Sequence, residues 1–160
     1  MEDYKKTCFF TGHRIIPNAQ ADIIRMKVRR FCIDLIENYG VTDFIAGGAL
    51  GFDTLAESVV LDLKRIYPRI RLHLYLPCRN QFARWNKKDV ERWEHILNEA
   101  DDYRYITDGN YVTGCMQLRN HEMVRDAYYG IAYYTHGKSG TASTIRYAIN
   151  KERKIKIINL

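Results

Sequence analysis

Three short stretches carry the residue types from which an anion site is built: Thr11-Gly-His-Arg14, Gly47-Gly-Ala-Leu-Gly51 followed by Phe52-Asp53, and Gly137-Lys-Ser-Gly-Thr141. Glycine gives up packing surface and backbone order, so three within five positions need a reason. Two reasons compete: a tight strand-to-helix turn, or a backbone that a phosphate can approach with no Cβ in the way. In the second reading the unpaired N–H groups at a helix start, and the helix dipole, favour an anion. Arg14 can place two hydrogen bonds on a phosphate. His13 suits a phosphate contact or a proton carrier, and equally a packing role. Lys138 adds charge, and Ser139 and Thr141 add hydroxyls beside Gly137 and Gly140. Asp53 would repel a phosphate, so its acceptable partner in such a site is a ribose hydroxyl, unless it serves only the dipole of its own helix.

These stretches matter only if the chain brings them together. Apolar runs at 7–11, 43–46, 70–76, 103–106, 130–134 and 155–158 read as strands. Helical spacing of apolar residues occupies 19–39, 50–66, 87–100, 115–127 and 139–151. Strands alternating with helices imply right-handed crossovers. The expectation is one α/β domain over residues 1–160: a Rossmann-like, doubly wound, mainly parallel sheet of about six strands flanked by helices. In such sheets ligands sit beyond the carboxyl ends of the strands, near the point where strand order reverses. Each stretch named above follows a strand, as does Pro77-Cys-Arg-Asn80. Neither a Walker A sequence nor a GxGxxG fingerprint is present.

With 46% hydrophobic and 28% charged residues, the 160-residue chain reads as a globular domain, not a disordered one. No apolar run suits a membrane span, and the N-terminus MEDYKKTCFFTGHR lacks a signal-peptide layout, so the expected setting is the cytoplasm. The four cysteines form no CxxC pair and are read as free thiols. His121-Glu122 is not a zinc HExxH motif, because Arg125 stands where the second histidine would be. Neither metal nor cofactor is expected, and no catalytic residue is assigned. The net charge of +6 favours an anionic partner, nucleotide or nucleic acid. Trp85 and Trp93, eight apart on one expected helix, read as core. The pairs Tyr128-Tyr129 and Tyr133-Tyr134 suit either a cover for the sheet or a homo-oligomer contact.

The ordered set TGHR, GGALGFDTLA, LPCR, GCMQLRN and GKSGT resembles the SLOG superfamily, and within it the YpsA-like family of bacterial and prophage proteins. The resemblance covers nearly the whole chain. It implies a Rossmann-like fold and a pocket for a nucleotide-derived ligand such as ADP-ribose, with the family pattern at Arg119 and Asn120 contacting the ligand or its surrounding loop. Relatives in the superfamily include the LOG phosphoribohydrolases, DprA-type single-strand DNA binders, and nucleotide-signal sensors. LOG enzymes carry PGGxGTxxE, and here the position of the acid holds Thr144 and that of the second glycine Lys138. A hydroxyl cannot replace that acid near neutral pH. The resulting order of readings is a sensory or regulatory nucleotide-binding domain, then a nucleotide N-glycosidase using Asp53 or Glu57, then a single-stranded DNA-binding module.

Overall fold

The computed structural model describes residues 3–160, so the first two residues of the N-terminal stretch lie outside it. The short apolar runs are strands: β1 (Thr7–Gly12), β2 (Asp43–Ala46), β3 (Arg71–Leu76), β4 (Asp102–Tyr105), β5 (Tyr129–Tyr133) and β6 (Lys154–Ile158). The amphipathic stretches between them are helices: α1 (Ala21–Tyr39), α2 (Phe52–Leu63), α3 (Lys87–Glu99), α4 (Cys115–Arg125) and α5 (Gly140–Asn150). Local chemistry sets their ends. Gly40, at φ +69°, closes α1 in the left-handed region. Asn86 caps α3 by accepting the Asp89 N–H at 2.8 Å, and Ser139 caps α5 by accepting that of Ala142 at 3.1 Å. The helix expected at 50–66 is shorter, because Gly51 adopts φ +78°, ψ −118° and cannot join it.

All strand pairs are parallel, in the order β4-β3-β2-β1-β5-β6. From β1 the chain steps outward through β2 and β3 to β4, then returns across the sheet to β5 and β6. Right-handed crossovers in opposite directions put their helices on opposite faces. The packing agrees. Ile24, Val28, Cys32 and Leu35 of α1 join Phe52, Val60, Trp93 and Ile96 over one face, with Phe10, Phe44 and Leu74. Met123 and Val124 of α4 and Ala148 of α5 meet Phe9, Ile45 and Tyr75 on the other. The step direction reverses between β1 and β5, so the loops leaving these neighbours part to opposite faces and leave a crevice.

Two expectations need correction here. Trp85 precedes α3 instead of lying on it, and meets Trp93 edge to face with 6.3 Å between ring centroids. The fourth strand starts one residue earlier than expected and is an exposed edge. It is fastened by His73, whose ring nitrogens each lie 2.7 Å from a carboxylate, Asp43 of β2 and Asp102 of β4. Among the described residues no helix is long and apolar enough to cross a membrane.

Candidate functional site

At the crevice, residues from β1, the β2–α2 loop, α4 and the start of α5 enclose a cavity of about 310 Å³. Thr11, Gly12, His13 and Arg14 bring the end of β1 to it, and Ala49 and Asp53 come from the β2–α2 connection. Arg119 and Asn120 enter from α4, and Ser139, Gly140 and Thr141 form the wall at α5. Eleven of the residues expected at a binding site are thus brought together, counting Ala49 and Asp53 but not the glycines beside them. Pro77 lies elsewhere: its carbonyl accepts the Thr107 hydroxyl at 2.7 Å, which holds the β3–α3 loop. Gly137 and the exposed Lys138 stand outside the cavity wall, on the approach to α5.

The β2–α2 loop is built around buried charge. The Gly48 N–H donates to Glu57 Oε2 at 3.0 Å and the Ala49 N–H to Asp53 Oδ2 at 3.2 Å. The Phe52 N–H, first in α2, donates to the His13 carbonyl at 3.1 Å. These donors were expected to face a phosphate; carboxylates and a carbonyl of the chain itself already hold them. The glycines make that closure physically possible. A Cβ on Gly47 would stand 2.5 Å from Arg119 Nη1, and one on Gly51 would stand 2.1 Å from the Arg14 carbonyl oxygen. Gly48, at φ +69°, would direct a Cβ to 2.7 Å from Leu76.

Asp53 and Glu57, one helical turn apart, are 6% and 1% exposed. The counter-charge next to both is Arg119, 5% exposed, whose Nη1 donates to the Gly47 carbonyl at 2.5 Å. Burial raises the Asp53 carboxyl above its ordinary range, with Arg119 pulling the other way. Burial and the neighbouring Asp53 charge raise Glu57 well above its own. Both shifts run toward the protonated form, so burial and mutual repulsion favour a proton held by the pair, with Arg119 opposing it.

The α5 side is different. The N–H groups of Gly140 and Thr141 have no acceptor among the described residues, and a Cβ built on Gly137 or Gly140 meets nothing within 4 Å. Two guanidinium groups project near this open helix start. Arg14 Nη2 has the Met116 thioether at 3.9 Å, and Arg119 Nη2 has the same sulfur at 3.8 Å. A thioether is a weak acceptor, so these donors hold no strong partner among the described residues. His13 is set apart from this donor group. Its Nε2 accepts the Thr135 N–H at 3.0 Å, and burial followed by the nearby His136 lowers its pKa, so the ring is neutral. Thr144, in the position of the LOG acid, turns back on its own helix and donates to the Gly140 carbonyl at 2.8 Å.

The lining residues overlooked in the sequence are Phe10, Met116 and Met123. A usable signal was present: positions 116, 119, 120 and 123 follow helical spacing, so Met116 and Met123 share a face with Arg119 and Asn120. A wider cleft of about 780 Å³ opens between α1, α2 and α3. It lies on one face of the sheet, away from the reversal point, and several of its charged groups are already engaged: Arg25 with Ser58, Lys64 with Asp101, Arg92 with Asp89.

The YpsA model, described as the YspA SLOG family, matches residues 12–159, nearly the full chain and every residue of the cavity beyond β1. The chain belongs to this family. Among curated relatives of this YpsA-family chain is a UPF0398 protein of Bacillus thuringiensis (strain Al Hakam), 27% identical over 136 residues, covering 84% of this chain and 73% of that protein. A UPF0398 protein of Bacillus cereus (strain Q1) matches to the same extent. The fold is shared with DNA processing protein A. The Streptococcus pneumoniae structure superposes with TM-score 0.71 at 15% identity, covering 94% of this chain and 49% of that one. The Helicobacter pylori protein, whose single-stranded DNA binding mode is described, gives TM-score 0.67 at 18% identity, covering 94% and 64%. This YpsA-family chain therefore spans about half to two thirds of those two proteins.

Proposed function

We propose that this YpsA-family domain binds a nucleotide or nucleotide-derived ligand of the ADP-ribose type in the crevice between β1 and β5, as a sensor or regulator. One observation carries the reading: two arginine side chains from separate elements converge on a single weak sulfur acceptor in that cavity. Guanidinium groups seek charged, bidentate partners, and an anionic oxygen satisfies both far better than a thioether. The free N–H groups at the start of α5 add donors and dipole field to the same wall. The buried Asp53 supplies an acceptor in the same cavity, suited to a ribose hydroxyl. The phosphate is thus assigned to α5, Arg14 and Arg119, and not to the glycines of the β2–α2 loop.

Calorimetry with AMP, ADP and ADP-ribose tests this. Saturable binding is expected, and Arg14→Gln should weaken it by about tenfold or more, as loss of a charged hydrogen bond does. Because Arg14 is exposed, folding should be unaffected. Absence of binding by all three to well-folded protein would sink the reading.

The DprA likeness and the +6 charge favour a second reading, single-stranded DNA binding. It predicts affinity that falls steeply with salt, with a log–log slope tracking the number of phosphates neutralised. Binding of an oligonucleotide that is absent at low salt removes this reading and leaves the first intact.

A further inference from the structure

We propose that Met116 is a modification site: oxidation of its thioether to the sulfoxide fills the anion position between Arg14 and Arg119 and closes the cavity to phosphate-bearing ligands. The proposal rests on the anion-binding reading of the cavity. Met116 is half-buried in the first turn of α4 and lines that cavity, so a small oxidant can reach its sulfur. The sulfur already lies 3.9 Å from Arg14 Nη2 and 3.8 Å from Arg119 Nη2. In the reduced state it offers these groups only a soft, weak lone pair.

The oxidant class is a hydroperoxide, with hydrogen peroxide the simplest member. The sulfur attacks one peroxide oxygen, an S–O bond forms and the O–O bond breaks. Sulfur loses two electrons, the peroxide gains them, and a proton moves to the departing oxygen to give water. The product carries a polar S–O oxygen where a thioether stood. That oxygen extends from the sulfur toward the two guanidinium groups, into the N–H···O range of about 2.7–3.2 Å. It then competes, as part of the chain, with the ligand anion. A methionine sulfoxide reductase reverses the change.

The other described methionines separate site from background. Met26 is 46% exposed on α1 and does not line the cavity, whereas Met123 lines it but is only 2% exposed. Met26→Leu therefore removes an exposed competitor for oxidant without touching the site.

The test uses full-length Met26→Leu protein treated with hydrogen peroxide, with one-oxygen addition at Met116 followed by peptide mass spectrometry. ADP-ribose binding is measured before treatment, after it, and after reductase. The expected result is an affinity loss of about tenfold on oxidation, recovered on reduction and absent after peroxide treatment of Met116→Leu. Arginine side-chain resonances of Arg14 and Arg119 should move together on oxidation. Complete oxidation of Met116 with affinity unchanged to within about twofold and both resonances unmoved overturns the proposal. If untreated protein binds no ADP-ribose, the binding reading fails by itself, and the two arginine resonances still decide whether the sulfoxide engages them.

Discussion

The domain has two glycine-rich strand-to-helix loops, and they use glycine for opposite purposes. In the β2–α2 loop, glycine lets the chain close on itself. Arg119 approaches Gly47, Leu76 approaches Gly48, and the Arg14 backbone approaches Gly51, each to a distance that a Cβ would forbid. The loop N–H groups of Gly48 and Ala49 end on carboxylates of α2. In the β5–α5 loop, Gly137 and Gly140 adjoin open space and the N–H groups of Gly140 and Thr141 are unspent. Glycine content alone therefore does not mark an anion cradle. What marks it is whether the freed donors still lack partners once the chain has folded.

The comparison breaks first at Gly51. With φ +78°, ψ −118° and an added Cβ 2.1 Å from a backbone oxygen, Gly51→Ala combines strain with a clash that side-chain motion cannot relieve. A loss of about 3 kcal/mol or more is expected, read as a lower urea midpoint. Gly137→Ala, at φ +87° but in open space, should lose only about 1 kcal/mol. Equal losses at the two positions would erase the distinction between a closed and an open loop.

The fold was legible because alternating strand and helix patterns are local, and the ordered motifs agreed with them. The α5 wall was legible for the same reason, since Ser139, Gly140 and Thr141 act at their own helix start. The closed state of the β2–α2 loop was not, because its partner Arg119 lies 72 residues along the chain. Asp53 and Glu57 stood in plain view at helical spacing, but nothing local says that both are buried over a single arginine. Met116 was missed for a different reason. Methionine on an amphipathic helix reads as core, and only the approach of two arginines to one sulfur shows otherwise.

The second expected effect concerns what holds the closed loop. Arg119→Met leaves Glu57 buried with no cation beside it, and Asp53 with only the exposed Arg14. Removing one partner from such a group typically costs about 3–5 kcal/mol. The penalty should depend on pH with a definite sign. Both acids have folded pKa values raised above their unfolded values near 4, so the folded state holds more protons across the interval. Stability is then greatest below the unfolded range and falls as pH rises toward the folded values. Without Arg119 to draw the acids down, that fall should be steeper, so denaturant midpoints of variant and wild type should separate more at pH 8 than at pH 5. A gap that stays constant over that range would mean that Arg119 supports the loop by packing, not by charge.

The smallest effect probes the open loop directly. Gly140 is the first residue of α5, its side-chain position is empty, and its N–H lacks an acceptor among the described residues. Gly140→Ala should therefore leave stability unchanged or raise it by about 0.4–1 kcal/mol, since alanine narrows the unfolded ensemble. A ligand phosphate seated on that N–H would meet the new methyl group, and ADP-ribose affinity should fall by about threefold to tenfold. Stability and affinity would then move in opposite directions at one residue. A packing glycine cannot behave this way, because there the lost space and the lost fold are the same event. Unchanged affinity in a stabilised Gly140→Ala protein would place the phosphate away from the start of α5 and leave Arg14 and Arg119 as its remaining partners.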